Sequence, residues 1–294
     1  MKASDALSIF LAPLAKRYIA GADRHDAIEA VRALNAHNIN AAISFLGENV
    51  TTSEDARTAA GEYLEVLELI ASTGVRANVS LKLTHMGLDI RQGCNPSDEL
   101  AFENAGAVVK KALVLKNRVR FDMEGSRYTQ KTINLFLRLR ASFPNVGIAI
   151  QSSLIRSRQD VELLIEKKAS VRLVKGAYKE SAAIAFQKKK DVDANFERLM
   201  KELLLKGTMP AIATHDERLI NAAVGLAKAN GIAKEKFEFE FLLGIKRELQ
   251  KRLAGEGYNV RVYCPYGARW LPYTLRRLRE RKENVWFVLK NMFD

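Results

Sequence analysis

Two cysteines, four histidines and six prolines in 294 residues leave several constructions without material. Cys94 and Cys264 stand alone, which excludes a disulfide framework and a cysteine-rich metal site and fits a reducing compartment. His215 with Asp216 invites a metal or acid–base reading, but no second ligand follows at metal spacing, so no metal is expected. Eighteen apolar residues never run together, and the opening MKASDALSIFLAPLAKRYIAG mixes charge into its apolar stretch. A membrane span and a secretory signal are therefore not expected. No GxGxxG follows any strand-like run, so a doubly wound dinucleotide fold has no support. The absence of low-complexity or long polar segments argues against disorder away from the termini.

What is present is strongly basic, with a formal net charge of +13 and a pI near 9.7. Such a balance suits nucleic acid, an anionic membrane surface or anionic ligands. The cations are dispersed, apart from short runs at 188–190 and 276–282, and no aromatic-interleaved basic stripe exists. Nucleic acid is therefore not an expected partner.

With 48% hydrophobic residues, a chain of this length can bury one large core. Short β-branched or apolar runs recur at 41–47, 78–84, 119–124, 146–151, 171–176, 210–216, 237–242 and 260–264. A helical period follows each, at 53–72, 97–115, 130–141, 160–168, 192–206, 217–229, 244–254 and 271–281. Eight such units predict an α/β fold, a closed (β/α)8 TIM-type barrel over 41–294. Helices at about 5–19 and 24–35 precede it, and segment 1–40 is expected to pack on the barrel as additional N-terminal helices.

Most of the strand-like runs end in polar groups: Lys82, Asp122 and Glu124, Gln151, Lys175, His215 and Asp216, Glu240, Tyr263. A barrel gathers all strand C-termini around one mouth, so a single polar site is predicted at that rim. The last unit, YCPYGARWLPYTLRRLRER at 263–281, places Arg276 and Arg277 side by side on a helix, with Glu280 one turn past Arg276. On composition alone the pair reads as a solvated basic helix face. Facing a pocket, two guanidinium forks could converge on one carboxylate.

The spacing from Tyr263 through Pro265 and Gly267 to Arg276, Arg277 and Glu280 resembles the final strand and helix of the proline dehydrogenase family. VSLKLTHMGLDI (79–90) resembles that family's second strand and loop, and FDMEGSRYTQ (121–130) its third. VRLVKGAY (171–178) resembles its fifth, ATHD (213–216) its sixth and FEFEFLLGI (237–245) its seventh. Each alone is weak; six in order are not. Two departures stand out: Glu240 where Gln is common, and LLG where L-[HY]-G is common.

The resemblance implies a monofunctional, bacterial-type flavoprotein that oxidises L-proline to Δ1-pyrroline-5-carboxylate, the first step of proline catabolism. Hydride would pass to N5 of FAD and the electrons onward to a quinone. A cytoplasmic enzyme is expected, and the net charge of +13 points to weak peripheral contact with an anionic membrane. Lys82, Arg276 and Arg277 match carboxylate-binding positions, and Tyr178, Leu242 and Tyr263 the walls beside the proline ring. Asp122 matches a carboxylate near substrate and flavin, which leaves two roles standing, counter-charge and acceptor of the amine proton. Arg172 matches a cation at the reactive end of the isoalloxazine. Met123 and Gln151 would contact that ring, Lys175, Gly176 and Ala177 the phosphate-bearing chain, and Thr214 and His215 the adenosine or pyrophosphate side. The rival reading from residue types is a Schiff-base aldolase on the same barrel, with Lys82 or Lys175 as nucleophile.

Overall fold

The computed structural model describes residues 17–90 and 98–279; the side chains of Pro272 and of residues 276–279 lie outside the described set. The predicted helix at 5–19 falls almost wholly outside it, as do Cys94 and Glu280.

Eight parallel strands close in sequence order, β1 to β8, with β8 hydrogen-bonded back to β1. They are β1 (Asn40–Phe45), β2 (Ala77–Leu81), β3 (Val119–Phe121), β4 (Val146–Gln151), β5 (Ser170–Val174), β6 (Ala211–Ala213), β7 (Glu238–Leu242) and β8 (Asn259–Tyr266). Helix α1 (Arg24–Asn35) precedes the barrel. Helices α2 (Ser53–Thr73), α3 (Glu99–Val114), α4 (Ser126–Arg140) and α5 (Ser157–Glu166) follow the first four strands. Helices α6 (Lys189–Lys206), α7 (Glu217–Ala229), α8 (Arg247–Gly255) and α9 (Trp270–Arg279) follow the last four. Among the described residues the predicted barrel architecture is therefore present.

Local chemistry sets several ends. The Asp23 side chain caps α1, and Asp26 returns the bond in a capping box. Thr52 caps α2, which stops at Gly74 in the left-handed region, φ +67°. Helix α4 starts four residues before its sequence-predicted limit because Glu180, from a distant loop, accepts bonds from Ser126 N (2.7 Å) and Oγ (2.6 Å). That partner is non-local, so periodicity could not reveal it.

The barrel wall is sorted by period two, and in an unusual sense. Val79, Leu81, Phe121, Leu173, Phe239, Val260 and Val262 are all fully buried members of the main apolar cluster beneath the helices. The alternate residues Asn78, Ser80, Arg120, Arg172, Glu238, Glu240, Arg261 and Tyr263 bond to one another across the barrel, so they occupy its interior. TIM-type interiors are usually filled by branched apolar side chains. Here the apolar layer lies outside the sheet, where each fully buried Leu, Val or Phe contributes about 1.5–3 kcal/mol, and the interior is left to polar chemistry.

Near the C-terminal mouth, Tyr18 and Ile19 pack with Leu46, Ile245 and Tyr273, and Ala20 N donates to Pro265 O at 2.7 Å. The chain entering α1 is thereby tied to the start of α9.

Candidate active site

At the C-terminal mouth a cavity of about 620 Å³ is lined by residues from β2 through β8 and from α9. Its inner end is organised by Asp122, the residue that follows β3. Asp122 Oδ1 accepts from Ser80 Oγ (2.6 Å) and Arg172 Nη1 (2.8 Å), and Oδ2 from Tyr263 OH (2.6 Å) and Lys82 Nζ (3.2 Å). A carboxylate can only accept, so the Tyr263 proton is committed to Asp122 and the Ser44 hydroxyl, at 2.8 Å, donates to Tyr263. Lys82 Nζ lies 3.4 Å from the same phenol oxygen. Five strands thus converge on two side chains.

The charges are strongly biased. Burial pushes the Asp122 carboxyl up, but Lys82 and Arg172, with the Ser80 and Tyr263 hydrogen bonds, outweigh it and hold it below the usual range. Burial alone would depress the Lys82 ammonium; Tyr263 and Asp122 outweigh it and hold Lys82 well above the ordinary lysine value. Burial, reinforced by the Asp122 charge, raises the Tyr263 phenol far out of range, so it stays a neutral donor.

Arg172 is anchored on its other side by Glu240, Nε to Oε2 at 2.5 Å. Burial and the charge of Glu238 push Glu240 up against the pull of Arg172 and Arg120, whereas Arg261 and Arg120 overcome burial to hold Glu238 down at about 2. Arg172 Nη2 is buried and has no hydrogen-bond partner among the described residues. A guanidinium donor left dry and unpaired is costly, and a ligand acceptor would relieve it.

The outer part of the cavity is lined by Met123, Gln151, Lys175, Gly176, Ala177 and Tyr178, and then by Thr214, His215 and Leu242. Gln151 Nε2 donates to Glu124 O at 2.9 Å, which fixes its orientation. Gly176 sits at φ +114°, where an added Cβ would lie 2.2 Å from Ser153 Oγ. Lys175 Nζ turns away from Arg172 to Asp193 Oδ1 (2.6 Å) and Asp216 Oδ2 (3.2 Å). His215 Nε2 accepts from Leu242 N–H at 3.0 Å, so that nitrogen carries no proton. No group of His, Cys, Asp and Glu among the described residues could hold a metal.

All the sequence-predicted site residues except the arginine pair therefore line one cavity. Positions 276 and 277 lie on α9, one turn beyond Tyr273, which does line it; their side chains are outside the described set. Sequence reasoning gave no site role to Ser44, Ser80 or Tyr273. A serine or tyrosine inside a buried strand or helix leaves no distinctive pattern, although Ser80 stands two residues before Lys82 and so on the same alternate face of that run. Neither lysine is arranged as a nucleophile: Lys82 is held protonated, and Lys175 is paired with two carboxylates. Schiff-base chemistry needs a neutral amine.

A model of the proline dehydrogenase family matches residues 27–290. Proline dehydrogenase 2 of Bacillus subtilis (strain 168) is 39% identical over 278 residues, covering 95% of this chain and 90% of that protein. Proline dehydrogenase of Deinococcus radiodurans is 38% identical over 282 residues, with the same two shares. Among solved structures, proline utilization A from Bdellovibrio bacteriovorus, inactivated by N-propargylglycine, superposes with a TM-score of 0.86 at 25% identity over 93% of this chain. The chain spans about a third of that protein, 33% of its length. Proline utilization A from Corynebacterium freiburgense, at 22% identity and a TM-score of 0.77, supports the fold.

Proposed function

The chain belongs to the proline dehydrogenase family, and from that premise we propose that its barrel mouth oxidises L-proline to Δ1-pyrroline-5-carboxylate with FAD as the oxidant. The observation that carries this reading is the buried Asp122–Lys82–Arg172–Tyr263 constellation opening into a cavity within the roughly 300–1,000 Å³ range of ligand sites.

The residues present fit a flavin. The unpaired Nη2 of Arg172 supplies a buried donor, and the cavity extends outward along Gln151, Lys175 and the Gly176 turn toward Thr214 and His215. Met123, Gln151 and Arg172 would hold the isoalloxazine, and Lys175, Gly176, Ala177, Thr214 and His215 the rest of the cofactor. When bound, FAD supplies the acceptor for the hydride from the carbon beside the ring nitrogen.

The chain's own contribution is positioning and charge. Lys82, Arg276 and Arg277 bind the proline carboxylate, while Tyr178, Leu242 and Tyr263 wall the ring. Asp122 acts as counter-charge and anchor. Its carboxyl is held low and both oxygens are engaged by strong donors, so it is a poor base for the amine proton. Arg172 remains charged beside the reacting centre because Asp122 and Glu240 grip it from two sides.

The reduced enzyme is proposed to deliver its electrons to a membrane quinone. No helix among the described residues is long and apolar enough to cross a membrane, while the net charge of +13 favours peripheral attraction to anionic lipid. Visible spectra test the core of the proposal. Purified protein should be yellow and should bleach anaerobically on adding L-proline. Protein that remains colourless after reconstitution with FAD, or a spectrum indifferent to proline, would overturn it.

A further inference from the structure

At the opposite, N-terminal end of the barrel a second cavity, of 160 Å³, opens on a different set of charges. Its lining includes Arg118, Arg120, Arg140, Lys168 and Arg261 against the single carboxylate Glu238. Three of these cations are already engaged, but unequally. Arg261 takes the better half of Glu238, Nε to Oε2 at 2.9 Å, and also donates to Ala41 O and Asn78 Oδ1, both at 2.8 Å. Arg140 spends its fork on Pro144 O and Lys168 O. Arg120 is left with long contacts, 3.3 Å to Glu238 Oε1, 3.4 Å to Ser170 O and 3.8 Å to Glu240 Oε1, although it is only 7% exposed. Its Nε is buried and has no hydrogen-bond partner among the described residues.

The wall is cut to fit that guanidinium. A Cβ on Gly147 would lie 2.9 Å from Ser170 O and 3.3 Å from Arg120 Nη1. Burial lowers the Arg120 guanidinium from its ordinary value, with Arg172 and Arg261 adding like-charge repulsion against the pull of Glu240 and Glu238. Arg118 and Lys168, both exposed on the rim, have no ion-pair partner among the described residues. A buried guanidinium with an unbonded Nε and two open cations around one small cavity supply the donors an anion needs.

One more lining residue selects the anion. Asn145 donates through Nδ2 to Val109 O (3.0 Å) and Asn117 O (3.1 Å), which fixes its amide, and its buried Oδ1 has no donor. Carboxylates and sulfate have no proton to offer it at neutral pH; hydrogen phosphate has a P–OH. We infer that this floor cavity binds inorganic phosphate as the hydrogen phosphate ion, with its oxygens on Arg120, Arg118 and Lys168 and its hydroxyl on Asn145. The volume admits one such group and is far below that of a drug-sized site, about 300 Å³ or more.

The test is the melting temperature of the purified enzyme, with its cofactor in place, in inorganic phosphate, glycerol 3-phosphate, sulfate and chloride at matched ionic strength. At ten times its Kd, phosphate should raise Tm by about 3 °C over chloride, and sulfate by less. Glycerol 3-phosphate, mostly a dianion without a P–OH above its second pKa of about 6, should raise Tm less than inorganic phosphate; an equal or larger shift from it overturns the proposal. The exposed-rim variant Arg118→Ala/Lys168→Ala should lose most of the shift while keeping its visible spectrum and turnover. Phosphate no better than chloride or sulfate overturns the proposal. So does a shift that persists in the double variant, because the anion would then sit elsewhere.

Discussion

The hydroxyl of Tyr263, on the last strand of the barrel, donates to Asp122 Oδ2 at the end of the third across 2.6 Å. The bond closes the ring of polar side chains inside the barrel, and it makes Tyr263 both a wall and a donor. Tyr263→Phe keeps the wall and removes the donor. A hydrogen bond to a charged group is worth about 1.5–3 kcal/mol, so kcat/KM for proline should fall roughly ten- to hundred-and-fifty-fold. Steady-state kinetics decide it; an unchanged value would reduce Tyr263 to packing.

Asp122→Asn should weaken the fold as well as the chemistry. The substitution strands Lys82 without its counter-charge and leaves Arg172 with Glu240 alone, at a cost of about 3–5 kcal/mol near pH 7. Because the folded Asp122 carboxyl lies below its unfolded value of about 3.9, its contribution is complete above that pH. It is lost as pH falls through the lower, folded value. Urea midpoints for wild type and variant should therefore converge below about pH 4. A gap that stayed constant from pH 7 to pH 3 would contradict the assignment.

Replacing Arg276 or Arg277 with Met tests the carboxylate clamp. Losing one partner of a buried charge pair costs about 2–5 kcal/mol, or roughly thirty-fold to several thousand-fold in kcat/KM. Lysine should rescue only in part, since a point charge does not reproduce a fork. The flavin spectrum should stay intact, and pyrrolidine, which lacks the carboxylate, should barely distinguish variant from wild type. Unaltered proline kinetics would return the pair to a solvated helix face.

Gly176→Ala should impair cofactor retention. At φ +114° any side chain is strained by about 1–3 kcal/mol, and here the new Cβ also meets Ser153 Oγ. The expected outcome is protein that folds but purifies with less flavin, read as the ratio of visible to ultraviolet absorbance. Full occupancy in the variant would show that this turn does not shape the cofactor site.

Membrane attraction should be weak and electrostatic. Co-sedimentation with anionic vesicles at low salt should exceed that with neutral vesicles and disappear as salt rises beyond physiological strength. Equal partitioning to both kinds of vesicle would remove net charge as an explanation.

The order and type of the elements were legible in the amino-acid sequence because each depends on local periodicity. Runs such as VRLVKG and FEFEFL, followed by amphipathic helices, specify eight β–α units whatever their partners are, and a barrel then brings the strand ends to one rim. Lys82, Asp122 and Tyr263 were legible as strand-end polar groups, and Arg172 through the family pattern alone. Their pairing was not. Which oxygen of Asp122 meets which donor, and that His215 spends Nε2 on the backbone amide of Leu242, are consequences of strand register around a closed sheet. That Lys175 turns to Asp193 and Asp216 follows from how α6 and the start of α7 pack against the mouth. Register joins residues many positions apart, such as Ser44 and Tyr263, and short-range periodicity carries no record of it. The floor of the barrel shows the same division: Arg120, Glu238 and Arg261 look in the sequence like unrelated charges on three strands. Only closure sets them around one cavity, and only the geometry there leaves Arg120 Nε without a hydrogen-bond partner among the described residues.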